Sequence, residues 1–363
     1  MNKNGYCLEF LENSGSIKLT DPNGKVIVEQ YPAAEGLTFS QISSNADGIS
    51  FLLTSDSLEK PLLCTYSLNI DKKCLSLKMS CDGEFCGELC YPPPYKNNPG
   101  ELVLYPLQEG VAFYSEDNDV LLPPAHNMAG GAHMSMGFFG KVLKNESWML
   151  CAIMNTADGK IKNLRKDGLY ATELCWIPQK LRWGNAKELR YMWGDSDGIT
   201  GLCLTYRKIA EEKGFIKPFT EKRKKVPNID RLVGSADVWL WNDNAMDLLY
   251  SETTPYSVPN KEQLEKRVEI ARDMVSSGMT DVLWSAINEN IDRETVSKIK
   301  ELGYLTTYYD IYTDVIPADI FSIIPTTRQK RCEKRLPLWP NGIIHDSKGG
   351  LTLLPGEYDV KEK

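Results

Sequence analysis

The chain is predicted to be a two-part protein: an antiparallel β-sandwich over residues 1–205, a helix and linker over 206–230, and a parallel α/β segment over 231–363. Three observations predict this. Up to about residue 205 there are many short apolar runs split by turn residues, and no convincing helical period. From Gly201 to Gly214 the apolar residues Leu204, Tyr206, Ile209 and Ala210 switch to helical spacing. Beyond Leu232, apolar strands alternate with amphipathic helices, the pattern of βαβ units and a parallel sheet.

In the first part the punctuation is explicit: Asp21-Pro22-Asn23-Gly24, Asp47-Gly48, Asp71-Lys72-Lys73, Asp82-Gly83, Asp158-Gly159 and Asp167-Gly168. Strand-like runs lie between them at 24–31, 48–55, 62–70, 74–80, 102–107, 110–115, 136–143 and 148–154. Tyr91-Pro92-Pro93-Pro94-Tyr95 lacks the backbone donors of a central strand and must be a loop. Pro123–Gly131 is a second irregular loop. It holds His126, with His133 just beyond, and no acid or cysteine stands at ligand spacing, so loop hydrogen bonding is the expected role of both histidines. The polar, proline-broken stretch after Gly214 is expected to be the tether.

The α/β segment reads strand, helix, strand, helix, strand. Its first helix is capped by Asn260, with Gln263 three residues on, and buries Leu264, Val268, Ala271 and Val275. The second opens at Asp292, turns Val296, Ile299 and Leu302 inward, and stops at Gly303. After Asp314 the regular pattern ends among Pro317, Pro325, Pro337, Pro340 and Pro355, with only short hairpin pieces expected at Leu336–Pro340 and Gly350–Leu354.

Composition excludes several classes. With 363 residues, 42% hydrophobic and 25% charged, the chain is globular and long enough for about two domains. A net charge of −7 and only short basic runs, at Glu221–Lys225 and Arg328–Arg335, argue against a nucleic-acid partner. No apolar run reaches the length of a membrane span and the N-terminus carries no signal-peptide core, so a cytoplasmic location without a membrane partner is expected. The ten cysteines are then expected to be reduced thiols. Cys74, Cys81, Cys86 and Cys90 lack paired C-x2-C spacing and a nearby histidine, so no metal is assigned, and no motif implies a cofactor.

Alternate strand residues share a face. In the first parallel strand one face carries Val233, Ser235, Asp237, Trp239 and Trp241. In the third, Tyr304, Thr306, Tyr308, Asp310, Tyr312 and Asp314 fall together. Each residue alone is ordinary, an aromatic for the core or an acid at a solvated strand end. Two rows of aromatics and carboxylates in one sheet point to a site, because grouped acids cost desolvation and repulsion. Ligands of parallel α/β sheets sit at the carboxyl ends of strands, where Trp241, Asp243, Asp310, Tyr312 and Asp314 fall. Carboxylates grip sugar hydroxyls, and Trp239, Trp241, Tyr308 and Tyr312 offer faces for a pyranose, so the expected partner is a carbohydrate.

The order of Leu102–Phe113, Met134–Gly140 followed by Trp148, Met192–Gly214, and Tyr309–Val315 after a strand with Asp237, Trp239 and Trp241 resembles bacterial glycosidase-like proteins related to the endo-α-N-acetylgalactosaminidases. The resemblance covers most of residues 5–340. It implies a galactose-mutarotase-like β-supersandwich followed by a (β/α)8 barrel, and a glycoside hydrolase activity. A barrel of that kind takes about 250 residues, whereas the stretch after Leu232 suffices for three strands and two helices. The barrel is therefore expected to be partial or truncated. The family's nucleophile and general acid come from later strands, so no residue here is assigned as catalytic. Asp310 and Asp314 would lie about 13 Å apart along a strand, too far to be a catalytic pair alone. Three readings follow: a glycoside hydrolase relative, incomplete and weakly active or inactive alone; a catalytically dead carbohydrate-binding protein; or a structural subunit whose open sheet pairs with a second copy or a second chain.

Overall fold

The computed structural model describes residues 1–107, 109–118, 125–127, 134–154, 158–178, 181–226, 228–239, 261–287, 293–309, 344–345 and 351–352. The chain divides into two compact units, Met1–Lys213 with Ile343–Lys363, and Gly214–Gly342.

The strands of the first unit follow in order: β1 (Asn2–Lys3), β2 (Tyr6–Leu11), β3 (Ser16–Thr20), β4 (Val26–Glu29), β5 (Thr38–Ser44), β6 (Gly48–Thr54), β7 (Leu62–Asn69), β8 (Cys74–Ser80), β9 (Leu89–Cys90), β10 (Leu102–Tyr105), β11 (Val111–Tyr114), β12 (Ala125–Asn127), β13 (Phe138–Val142), β14 (Trp148–Ile153), β15 (Gly159–Lys166), β16 (Leu169–Trp176) and β17 (Lys187–Gly194). They form a four-stranded sheet β1-β2-β3-β4, a nine-stranded sheet β11-β10-β13-β14-β17-β8-β7-β6-β5, and a four-stranded sheet β12-β15-β16-β9. All the pairings are antiparallel, as the sequence leads one to expect. One core joins the three sheets: Leu8, Ile17 and Val28 from the first meet Phe51, Tyr66, Leu77 and Leu189 from the second and Ile161, Leu174 and Trp176 from the third. Sheets with one buried face alternate cleanly, as in β7, where Leu62, Cys64, Tyr66 and Leu68 point in and Leu63 and Ser67 point out.

By contrast β13 and β14 are buried along their whole length. Helix α1 (Gly198–Glu212) is the reason, since its Leu202 and Ile209 cover Val142, Trp148 and Leu150 on the outer face of the large sheet. The close approach needs a glycine at 140, where a Cβ would sit 2.7 Å from Leu202 Cδ1.

The proline run forms a loop as expected, but a buried one. Tyr91 accepts a bond from Trp176 Nε1 (2.8 Å) at its carbonyl and donates from its hydroxyl to the Gly15 carbonyl (3.1 Å). Further along, the buried Lys141 ammonium donates to the Lys96 carbonyl and to Glu101 Oε2, both at 2.8 Å. Glu101 in turn accepts from the backbone and side chain of Asn98, each at 2.9 Å.

The expectation that every cysteine is a free thiol is corrected. Cys90 and Cys175 form a disulfide, because the β9–β16 register sets them directly opposite each other. Of the four clustered cysteines, Cys74 is buried, Cys81 half-buried and Cys86 exposed, all as thiols.

The second unit begins with helix α2 (Phe219–Lys225) inside the expected tether and a 3-10 turn at Ile229–Leu232. Then come β18 (Ala236–Trp239), α3 (Lys261–Ser276), β19 (Val282–Ile287), α4 (Arg293–Glu301) and β20 (Leu305–Tyr309). The strands make a three-stranded parallel sheet in the order β18-β19-β20. Val268 and Ala271 of α3 and Val296 and Ile299 of α4 pack with Val282, Trp284 and Tyr304, so both helices cover one face. In the tail, Ile344–His345 and Leu351–Thr352 pair antiparallel.

Candidate sugar-binding face

The helix-free face of the parallel sheet is built by alternation. Register puts Asp237 beside Leu283 and Leu305, and Trp239 beside Ser285 and Thr307, while Val238, Trp284 and Thr306 form the helix-side row. Trp284 on that second row stacks with Tyr304 at 6.3 Å between ring centroids.

On the open face Asp237 is held at both oxygens. Oδ1 accepts from Ser285 Oγ (2.5 Å) and Oδ2 from Trp239 Nε1 (2.9 Å). Ser285 is buried beneath them, whereas Trp239 keeps 37% of its surface exposed. The result is a carboxylate fixed in direction beside an accessible indole. Each carboxylate oxygen keeps acceptor capacity beyond the bond it already takes.

Among the described residues, the two sequence rows fall on different strands and on different faces. β19 lies between β18 and β20, so Asp237 and the third strand are not neighbours. The tyrosine row also begins in the core, since Tyr304 is buried and donates to the Met279 carbonyl at 2.6 Å. Tyr308 stands opposite Ala286, in the register of the Trp284–Thr306 row rather than that of Asp237 and Trp239. The parity of a strand is legible in sequence, but which parity faces the helices is set by the register of its neighbours. Trp241, Asp243, Asp310, Tyr312 and Asp314 lie outside the described residues, as does His133. Ser285 was missed. Its signal was a lone hydroxyl among the apolar residues of Val282–Ile287.

Among the described residues, Glu88, Cys90 and Cys175 bring possible ligand atoms together. The two sulfurs are bonded to each other and Glu88 is ion-paired with Lys160 and Lys162, so the group is poorly suited to a cation.

In chain order, antiparallel sheets with a helix over one outer face precede a parallel sheet with both helices on one side. The chain superposes on an α-N-acetylgalactosaminidase from Bifidobacterium bifidum, bound to Gal-NHAc-DNJ, with a TM-score of 0.66 and 13% identity over 88% of its length. It spans 59% of that enzyme's length. The ligand-free form of the same enzyme gives 0.64 and 12% identity, covering 95% of this chain and 69% of the other. No family model and no curated protein sequence matches the chain. No helix among the described residues is long and apolar enough to cross a membrane.

Proposed function

We propose that the chain is a glycoside hydrolase-related protein that holds a glycan, through an α-linked or amino-sugar unit, on the helix-free face of its parallel sheet. The observation that carries this is the Asp237 carboxylate, preset by Ser285 and Trp239 beside the exposed indole. A pyranose presents hydroxyls to a carboxylate and a ring of C–H groups to an aromatic face. In this reading the three strands are an arc of a barrel, supported by a strand order that runs in one direction with both helices on one side. Trp241, Asp243, Asp310, Tyr312 and Asp314 are assigned, on their sequence positions alone, to a sugar-binding rim at the carboxyl ends of these strands.

Binding without turnover is the second reading. Glycoside hydrolysis uses two carboxyls, about 5 Å or more apart. Asp237 is the one carboxylate among the described strand residues of this face, and it is already engaged by two donors. Calorimetric titration with N-acetylgalactosamine and α-galactosides, beside turnover assays on the matching nitrophenyl glycosides, separates the readings. Trp239→Ala should weaken binding by about tenfold, roughly 1.4 kcal/mol. An affinity unchanged in both Trp239→Ala and Asp237→Asn refutes the assignment. Light scattering on the same samples tests whether a second copy completes the sheet.

A further inference from the structure

The first unit carries a cleft of about 330 Å³ where the turn after β3, the turn after β13 and the end of β17 come together. Tyr6, Trp193 and Trp148 contribute its aromatic lining, with Tyr6 and Trp193 in ring contact at 6.0 Å. Asp21, Asn23 and Lys25 line one rim, with Ser147 and Asp195 also at the cleft.

The rims are rigid. Asp21 Oδ1 accepts the backbone N–H groups of Asn23 (2.9 Å) and Lys25 (2.8 Å), and Gly24 takes the positive φ of +81° that closes this turn. Opposite it, Ser147 Oγ bonds Asn145 Oδ1 at 2.6 Å. The indole of Trp148 is anchored to the Ser196 carbonyl at 2.9 Å. A cleft whose walls are already fixed loses little entropy when it fills.

Part of the polar capacity on those walls is unspent. Asp21 Oδ2 and the Asn23 side chain take no bond within the described residues. Lys25 Nζ reaches only Ser147 Oγ, at 3.4 Å. Both signs of charge line the cleft: Asp21 and Lys25 stand on one rim, and Asp195 is paired with Lys73, whose hydrogen bond holds its carboxyl below the ordinary value, with Lys25 acting in the same direction. Such a lining offers a neutral ligand donors, acceptors and the half-buried Tyr6 ring, with the edges of the largely buried Trp148 and Trp193 behind it. The volume lies at the lower end of the range for small-ligand sites, where a single ring fits.

We propose that this cleft is a second saccharide site, taking one neutral pyranose unit of a glycan. The inference does not rest on the Asp237 face. Its test is titration of the full chain with galactose, N-acetylgalactosamine, glucose and mannose, followed by calorimetry and tryptophan fluorescence. Binding in the millimolar range is expected for at least one sugar. It should weaken about fivefold or more in Lys25→Met and in Asn23→Ala, exposed positions whose circular dichroism should stay native, and should persist in Trp239→Ala. No binding up to about 100 mM overturns the proposal. So does binding unaffected by both rim variants, or binding lost only in Trp239→Ala, which would assign the sugar to the parallel sheet.

Discussion

The Cys90–Cys175 bridge makes a quantitative claim. It closes a loop across a separation of 85 residues, from the start of the proline segment to β16. In the chain-entropy description a loop of that size removes about 15 cal/mol/K from the unfolded ensemble, or about 4–5 kcal/mol at 25 °C. For a unit of this size, that corresponds to a melting shift of about 10–15 °C. The perturbation is the double variant Cys90→Ala/Cys175→Ala, paired with wild type measured with and without dithiothreitol. Urea unfolding followed by tryptophan fluorescence reads the loss, and mass spectrometry after iodoacetamide labelling counts the free thiols. The reasoning is refuted if both cysteines label in the native, unreduced protein, or if reduction and double substitution each cost less than about 1 kcal/mol.

Two further outcomes follow from buried charges. Lys141→Met should destabilise the first unit by about 3–5 kcal/mol in urea unfolding, because it strands the Glu101 carboxylate that the ammonium now neutralises. Adding Glu101→Leu should recover much of that loss. Glu88 offers a pH test: burial pushes its carboxyl up, but Lys160 and Lys162 outweigh this and hold it below its ordinary 4.5. A folded-state value below the unfolded one gives stability that is complete above the unfolded value and lost as pH falls through the folded one. Glu88→Gln should therefore flatten the acid limb of stability against pH below about 4.5, measured as urea midpoints across that range.

Much of the fold was legible where periodicity is local. The stripe Leu264, Val268 and Ala271 and the strand Val282–Ile287 stand where their spacing put them. So do β6, β7, β8 and β14, bounded by their turn residues. The strands at Thr38–Ser44, Gly159–Lys166 and Lys187–Gly194 escaped, being rich in Ser, Lys and Arg. In the last, Lys187 occupies an inward position that Leu189, Tyr191 and Trp193 continue. The candidate site was half legible. Asp237 and Trp239 share a face by simple alternation. Tyr304 and Thr306, which begin the companion row, lie on the helix side, where Tyr304 stacks on the Trp284 ring, a partner one strand away. The disulfide was hidden for the same reason.

The position of β17 in the large sheet has a consequence for biogenesis. It pairs with β14 on one side and β8 on the other, and among the described strands of this sheet it alone joins the β5–β8 meander to β10, β11, β13 and β14. A ribosome must release residues to Gly194 before these two half-sheets can be zipped together, and until then β8 and β14 present bare hydrogen-bonding edges. Such distant pairing is slow to form. Chains stalled short of Lys187 should thus be the species that chaperones hold and that aggregates collect.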